Sequence, residues 1–420
     1  MSGTIGSNIL SHSGTVAETA AGLNWVSTVV TASTVTVEAG NGYWINTTSN
    51  ACTITLPASA EAGDNIVIVD FARTWGTNSV ELDSNGLNFQ GNSDVYEVKY
   101  TTNGQSVNLI YSDATQGWIP LEDDVVADEP VQPPTQKAIF GYGKTSSDVS
   151  LTNLVNSSGV VATDVTGVGT ARNNLAASSY GGDKAIFGYG RTSTQVSMTN
   201  LVNNSGVVAT DVSGVGTARQ SLAAASYGGD KAIFGYGTDS SLTNLVTNQG
   251  VVGNDVSGVG TARNDLAAAS YGGDKAIFGY GYYYSGGVVN YSLTNKVSNS
   301  GVVASDTTGV GTARYLLAAA GYGGDKAIFG FGTTGSVTGL TNLVSNTGVV
   351  AANVSAVGTA RKGLAAAGYG GDKAIFGYGT TGSLTAITNL VNSSGVVASD
   401  VSGVGTAREK LAAAGFSYSA

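Results

Sequence analysis

One cysteine, one histidine and two methionines are all that 420 residues contain. A single Cys52 forbids an intrachain disulfide, and one histidine beside one cysteine is too few for a zinc site built from several such ligands. Catalysis by a Ser-His or Cys-His pair would depend on His12, which lies in a polar leader and carries no assigned role. Charged residues make up only 11%, against roughly 25% in ordinary soluble domains. The balance is −10 with no basic cluster, which argues against a nucleic-acid surface. No apolar run reaches the ~18 residues of a membrane span, and residues 1–30 lack the cationic start and apolar centre of a secretory signal. The expectation is a protein that is not an enzyme, with no catalytic residues, no metal and no cofactor. Architecture and binding have to carry its function.

Glycine, by contrast, is abundant at 61 residues, and much of it sits in a repeat. The string KAIFG begins at Lys137, Lys184, Lys231, Lys275, Lys326 and Lys373; GTAR ends at Arg172, Arg219, Arg263, Arg314, Arg361 and Arg408. Lysine spacings of 47, 47, 44, 51 and 47 mean one fixed unit in which a single loop changes length. Before the array the composition differs. Residues 1–136 hold 15 acids and 2 bases, and 137–420 hold 14 acids and 17 bases, giving −13 and +3. All five prolines precede residue 137. The chain is therefore divided into a leader over 1–36, a β-rich module over 37–120, an acidic proline-bearing linker over 121–136 and the array over 137–420.

One unit reads as four β runs. LAASSY at 175–180 is followed by Gly181-Gly182-Asp183, a tight-turn sequence, and then by KAIFGY at 184–189, apolar on both faces. SMTNLV at 197–202 and GVVATDV at 206–212 complete it. Four strands in about 47 residues, six times over, predict an all-β fold whose C-terminal part is a six-bladed β-propeller. The array opens on a second strand and closes on a lone first strand at 411–418. Pairing of those two predicts a ring sealed by its own ends, with no open sheet edge.

The segment GTARNNLAASSYGGDKAIFGYG resembles the kelch unit, and a propeller of the chromosome-condensation-regulator type is the alternative. The aliphatic strand ends in Gly-Tyr-Gly or Gly-Phe-Gly where kelch has paired glycines, and no unit has a tryptophan after its fourth strand. Ahead of the array, GYWINTTSNACTITLPASAEAGDNIVIVDFARTWGTNSVELDSNGLNFQG followed by VNLIYSDATQGW resembles a β-rich module of bacteriophage tail fibres. Together these imply a tail fibre or virion appendage assembled in the host cytoplasm and located on the virion tail. Its N-terminus would dock to other tail or baseplate proteins, and its propeller to a host-surface glycan or protein or to a neighbouring fibre protein. The resemblance further implies a homotrimer, without nucleic acid or membrane insertion. A glycan-degrading tailspike-type enzyme and a pure assembly scaffold are the alternatives.

Loop lengths point to the binding face. They vary between the second and third strands, shortest at 238–241 and longest at 282–291. The long loop, with Tyr282, Tyr283, Tyr284, Asn290 and Tyr291, has paratope chemistry and is the candidate receptor-binding segment; packing on neighbouring loops or another subunit is its structural alternative. The six repeat arginines are assigned to structural inter-blade contacts rather than an anion-binding ring, where like charges would repel. Asp183, Asp230, Asp274, Asp325 and Asp372 are read as turn stabilisers, not calcium ligands, because one acid per unit does not supply a cation's several oxygens. The repeat lysines are read as rim charges with packed stems, and Cys52 as a small buried hydrophobe.

Overall fold

Period-two alternation and β-branched runs yield strands throughout the computed structural model, which describes residues 9–12, 15–18, 23–94, 98–121, 135–355 and 357–419. The chain forms two compact units, Met1–Pro133 and Pro134–Ala420. Most of the expected linker, 122–134, and most of the expected leader's first 22 residues lie outside the described residues.

In the first unit successive strands alternate between two sheets. Asn24–Trp25, Asn41–Ile45 and Asn65–Asp70 pair in parallel in one, and Thr34–Thr36, Cys52–Thr55 and Val80–Asp83 pair in parallel in the other. Antiparallel strands extend each sheet: Ser106–Tyr111 and Trp118–Pro120 in the first, Val98–Tyr100 in the second. Alternation was legible at 53–56, but it is the same for parallel and antiparallel pairing, so the coiled course of the chain was not. Inward residues such as Ile54, Ile66, Ile68, Val80 and Trp118 form one core, and Cys52 is buried in it. Its floor is anchored by buried Asp70, which accepts backbone N–H bonds from Thr74, Trp75 and Gly104 at 3.1, 3.2 and 2.8 Å.

Among the described residues, the second unit holds six small three-stranded open sheets and one two-stranded hairpin. Ala176–Tyr180, Lys184–Gly188 and Thr199–Val202 form one, and each later repeat forms its counterpart. The middle KAIFG strand is buried at Ala185, Ile186 and Phe187, because neighbouring sheets cover both of its faces. Its closing glycine is needed for that packing: a Cβ on Gly188 would stand 2.6 Å from the Phe234 ring of the next sheet. The first and last parts of the array share a sheet, with Lys137 opposite Phe416 and Gly141 opposite Ala412.

The expected fourth strand is not formed. It is reduced to two isolated bridges per repeat, such as Val202 with Val208 and Thr199 with Val212. Three residues lie between Val208 and Val212 but only two between Thr199 and Val202, so one residue bulges out and breaks the ladder. The Asn200 amide fills the bulge, donating to the Ala209 carbonyl at 3.0 Å and to Asp211 Oδ1 at 2.9 Å. Per sheet, then, there are three strands and a bridged segment rather than four strands.

Small residues let the first strands approach one another. Ala176–Tyr180 lies beside Ala223–Tyr227, which lies beside Ala267–Tyr271, and so on through Ala318–Tyr322 and Ala365–Tyr369 to Ala412–Phe416, which lies beside Ala176–Tyr180. Backbone hydrogen bonds run the same circuit at both ends of these strands. At their start, Ser221 N–H donates to Asn174, Asp265 to Ser221, Leu316 to Asp265, Gly363 to Leu316, Lys410 to Gly363 and Asn174 to Lys410, all between 2.7 and 3.0 Å. At their end, Gly181 donates to Asp230, Gly228 to Asp274, Gly272 to Asp325, Gly323 to Asp372 and Gly370 to Gln136, while Ser417 donates to Asp183. Gln136 and Ser417, from opposite ends of the array, together fill the place of a sixth Gly-Gly-Asp turn.

Candidate functional site

The repeat arginines build the wall between sheets. Arg172 is fully buried, its guanidinium carbon 4.3 Å from the centre of the Tyr142 ring on the preceding sheet. Toward its own sheet, Nε donates to the Tyr189 carbonyl at 2.9 Å and Nη2 to Asn200 Oδ1 at 2.7 Å; Nη1 donates to Thr170 at 3.1 Å. The other five stack alike on Tyr189, Tyr236, Tyr280, Phe331 and Tyr378. Each aromatic takes a left-handed backbone, φ between 62° and 66°. This costs on the order of 1 kcal/mol or more for a bulky residue and persists only because both sides of the ring are packed. Burial pulls all six guanidinium pKa values down, Arg361 to about 10.

Behind each arginine stands an aspartate clamp. Asp211 accepts from the Thr170 hydroxyl at 2.6 Å and the Thr170 N–H at 3.0 Å; Asp164, Asp255, Asp306 and Asp400 make the same pair of bonds to Thr406, Thr217, Thr261 and Thr359. Burial pushes these carboxyls up, but the threonine, asparagine and arginine contacts outweigh it and hold all five below the ordinary value. In the fifth repeat Asn353 takes the place and its amide donates to the Thr312 hydroxyl at 2.7 Å. The turn aspartates pair with the following lysine, for example Asp183 with Lys184 at 2.5 Å, so five of the six repeat lysines are partnered at the rim; Lys137 follows Gln136 instead.

The long loop is a two-stranded hairpin, Tyr282–Tyr284 against Val288–Asn290. Its base is fixed: Tyr282 exchanges two backbone bonds with Asn264, at 2.7 and 2.9 Å, and the Tyr291 N–H donates to Gly281 at 2.8 Å. Its tip is free surface, with Tyr284 61% exposed beside exposed Val288 and Val289. Tyr282 does not reach the tip. Its ring packs on Tyr315 with centroids 4.9 Å apart, and burial, aided by the charges of Asp265 and Asp239, pushes its phenol up to about 12. Tyr283 stands opposite Val289, and Asn290 has a buried Oδ1 without a hydrogen-bond partner.

Tyr282 thus borders the first circuit of amides, where the chain forms a depression open to solvent. A tier of six leucines, from Leu175 to Leu411, lines it together with Asn174, Ser221, Asp265, Leu316, Gly363 and Lys410. Sequence reasoning missed these six, although a signal exists: they fall in the two positions between GTAR and Leu-Ala-Ala, which read NN, QS, ND, YL, KG and EK while their surroundings hardly change. No family model and no curated protein matches the chain.

Proposed function

We propose that this chain is a virion appendage protein of the bacteriophage tail-fibre type. In this reading the second unit is a six-bladed propeller of bulged blades, and the first unit joins it to tail or baseplate proteins. The protein works as a homotrimer on the virion tail and binds rather than catalyses. Support for the propeller comes from the two circuits of hydrogen bonds and from the pairing of Lys137–Gly141 with Ala412–Phe416. Support for recognition comes from one observation above all: loop length varies on a single face, the one carrying the tyrosine hairpin and the side chains of the amide circuit. The other face repeats Gly-Gly-Asp nearly unchanged. A rigid frame with variable loops on one side is the usual arrangement of a binding protein.

Five array acids are committed to threonine clamps, which favours binding over glycan hydrolysis, since hydrolysis needs a free carboxyl pair. The receptor is a host-surface glycan or protein. The test replaces 282–291 by the four-residue loop 238–241 of the third repeat and measures adsorption to host bacteria. Adsorption should fall at least tenfold with an unchanged melting temperature; unchanged adsorption contradicts a receptor role for the hairpin.

A further inference from the structure

The amide circuit is unusual in its conformation. Asn174, Ser221, Asp265, Leu316, Gly363 and Lys410 all have φ between 47° and 62°. Glycine adopts that region freely and Asn or Asp tolerate it, but Ser, Leu and Lys pay for it. Only one of the six is glycine. A frame that repeats its sequence so closely elsewhere keeps five side chains at the position where glycine would be least strained. Strain of this kind collects at ligand sites.

The chemistry of those side chains restricts the ligand. The circuit's N–H and carbonyl groups bond one another, so a bound molecule is read by side chains and not by a backbone nest. Asp265 and Lys410 are three steps apart whichever way the circuit is followed, the other four positions are uncharged, and the Glu409 carboxylate stands beside Gly363, so the rim clusters neither cations nor carboxylates. That disfavours a phosphate, which needs clustered cations, and a metal ion, which needs clustered oxygens. Asn174, Ser221, Asp265 and Lys410 supply donors and acceptors along one arc, while Leu316 and the leucines beneath the circuit supply apolar surface. The Tyr282–Tyr315 pair stands beside Asp265. Hydroxyl edges with an apolar C–H face are the matching chemistry, and the depression is shallow and open to solvent, which suits a single ring held at a surface rather than an enclosed ligand.

We propose that the depression inside the amide circuit seats one ring of a neutral sugar, with Asp265 and Lys410 bonding its hydroxyls and Leu316 and the leucine tier facing its apolar side. The proposal deepens the reading of this face as a receptor-binding surface and rests on it. Saturation-transfer NMR on the full chain, with methyl glycosides of glucose, galactose, mannose and N-acetylglucosamine, tests it. At least one should show transfer, and Asp265→Ala and Lys410→Ala should each weaken its binding about tenfold or more, as expected for loss of a bond to a charged group. Circular dichroism verifies each variant's fold, and Lys410→Ala alone suffices if Asp265→Ala does not fold. Absence of transfer from all four glycosides, binding indifferent to the variants, or binding of free glycine in their place would each overturn the proposal. These readouts need no cells. Loss of sugar binding with intact hairpin-dependent adsorption defeats this site alone, whereas intact sugar binding with hairpin-independent adsorption defeats the hairpin's role alone.

Discussion

Phe331 shows how much a single atom contributes within the arginine wall. Its five tyrosine counterparts donate their hydroxyls to the carbonyls of Val168, Val215, Val259, Val310 and Val404 at 3.0–3.1 Å. Phe331 is fully buried and leaves the corresponding bond unmade, and Arg361, stacked on it, has the guanidinium pulled to about 10. Phe331→Tyr should add one buried hydrogen bond to the Val357 carbonyl, about 1 kcal/mol. That corresponds to a rise of about 2 °C in melting temperature for a unit of this size. Scanning calorimetry checks it; a fall would mean that the space beside Val357 does not admit a hydroxyl. The opposite change, removing an arginine from between two sheets, leaves several buried acceptors unpaired and belongs to the class of losses of about 3–5 kcal/mol.

Where whole segments meet, the aspartate clamps dominate. Asp164, Asp211, Asp255, Asp306 and Asp400 are held below the ordinary value of 3.8 in the folded chain. The unfolded chain therefore takes up protons first as pH falls. The clamps' contribution is complete above about pH 4 and disappears as pH drops through the lower folded values. Asp265 has the opposite sign: burial raises it, Ser221 and Lys410 only partly offset that, and its cost to the fold sets in as pH rises past 3.8. Melting temperature should be flat with respect to the clamps from pH 7 to about 5 and fall steeply below about 4. A steady rise down to pH 3 would show that the clamps do not bear on stability. The sequence made these segments visible and hid how they pair. KAIFG, its glycine, the hairpin turns and the tyrosine loop follow from residue type. The loss of the fourth strand follows from one surplus residue between Val208 and Val212, which only pairing with Thr199 and Val202 reveals. Parallel pairing of Cys52–Thr55 with Val80–Asp83 is hidden likewise, since alternation does not encode direction. The left-handed backbone at Ser221, Leu316 and Lys410 has no signature in those residue types.

Across the array as a whole, one device recurs: each repeat is completed by the next, and the sixth by the first. Arg408 donates to the Tyr142 carbonyl and to Asn153, and Thr406 to Asp164, the same contacts that Arg172 with Thr170 and Arg219 with Thr217 make with their successors. Ala412–Phe416 is buried to the same degree as its five counterparts. An arrangement of this kind has no weak end, and it holds the amide circuit, the leucine tier and the hairpin in fixed relation. In the function proposed above, that rigidity is what the variable side chains of one face rely on. Hydrogen exchange at the backbone amides of 137–141 and 412–416 tests this most directly. Sealing of the array by its own ends predicts exchange as slow as in Lys231–Gly235 and Ala267–Tyr271, from the middle of the array. Exchange faster by orders of magnitude at the two terminal strands, while the middle stays protected, would contradict it.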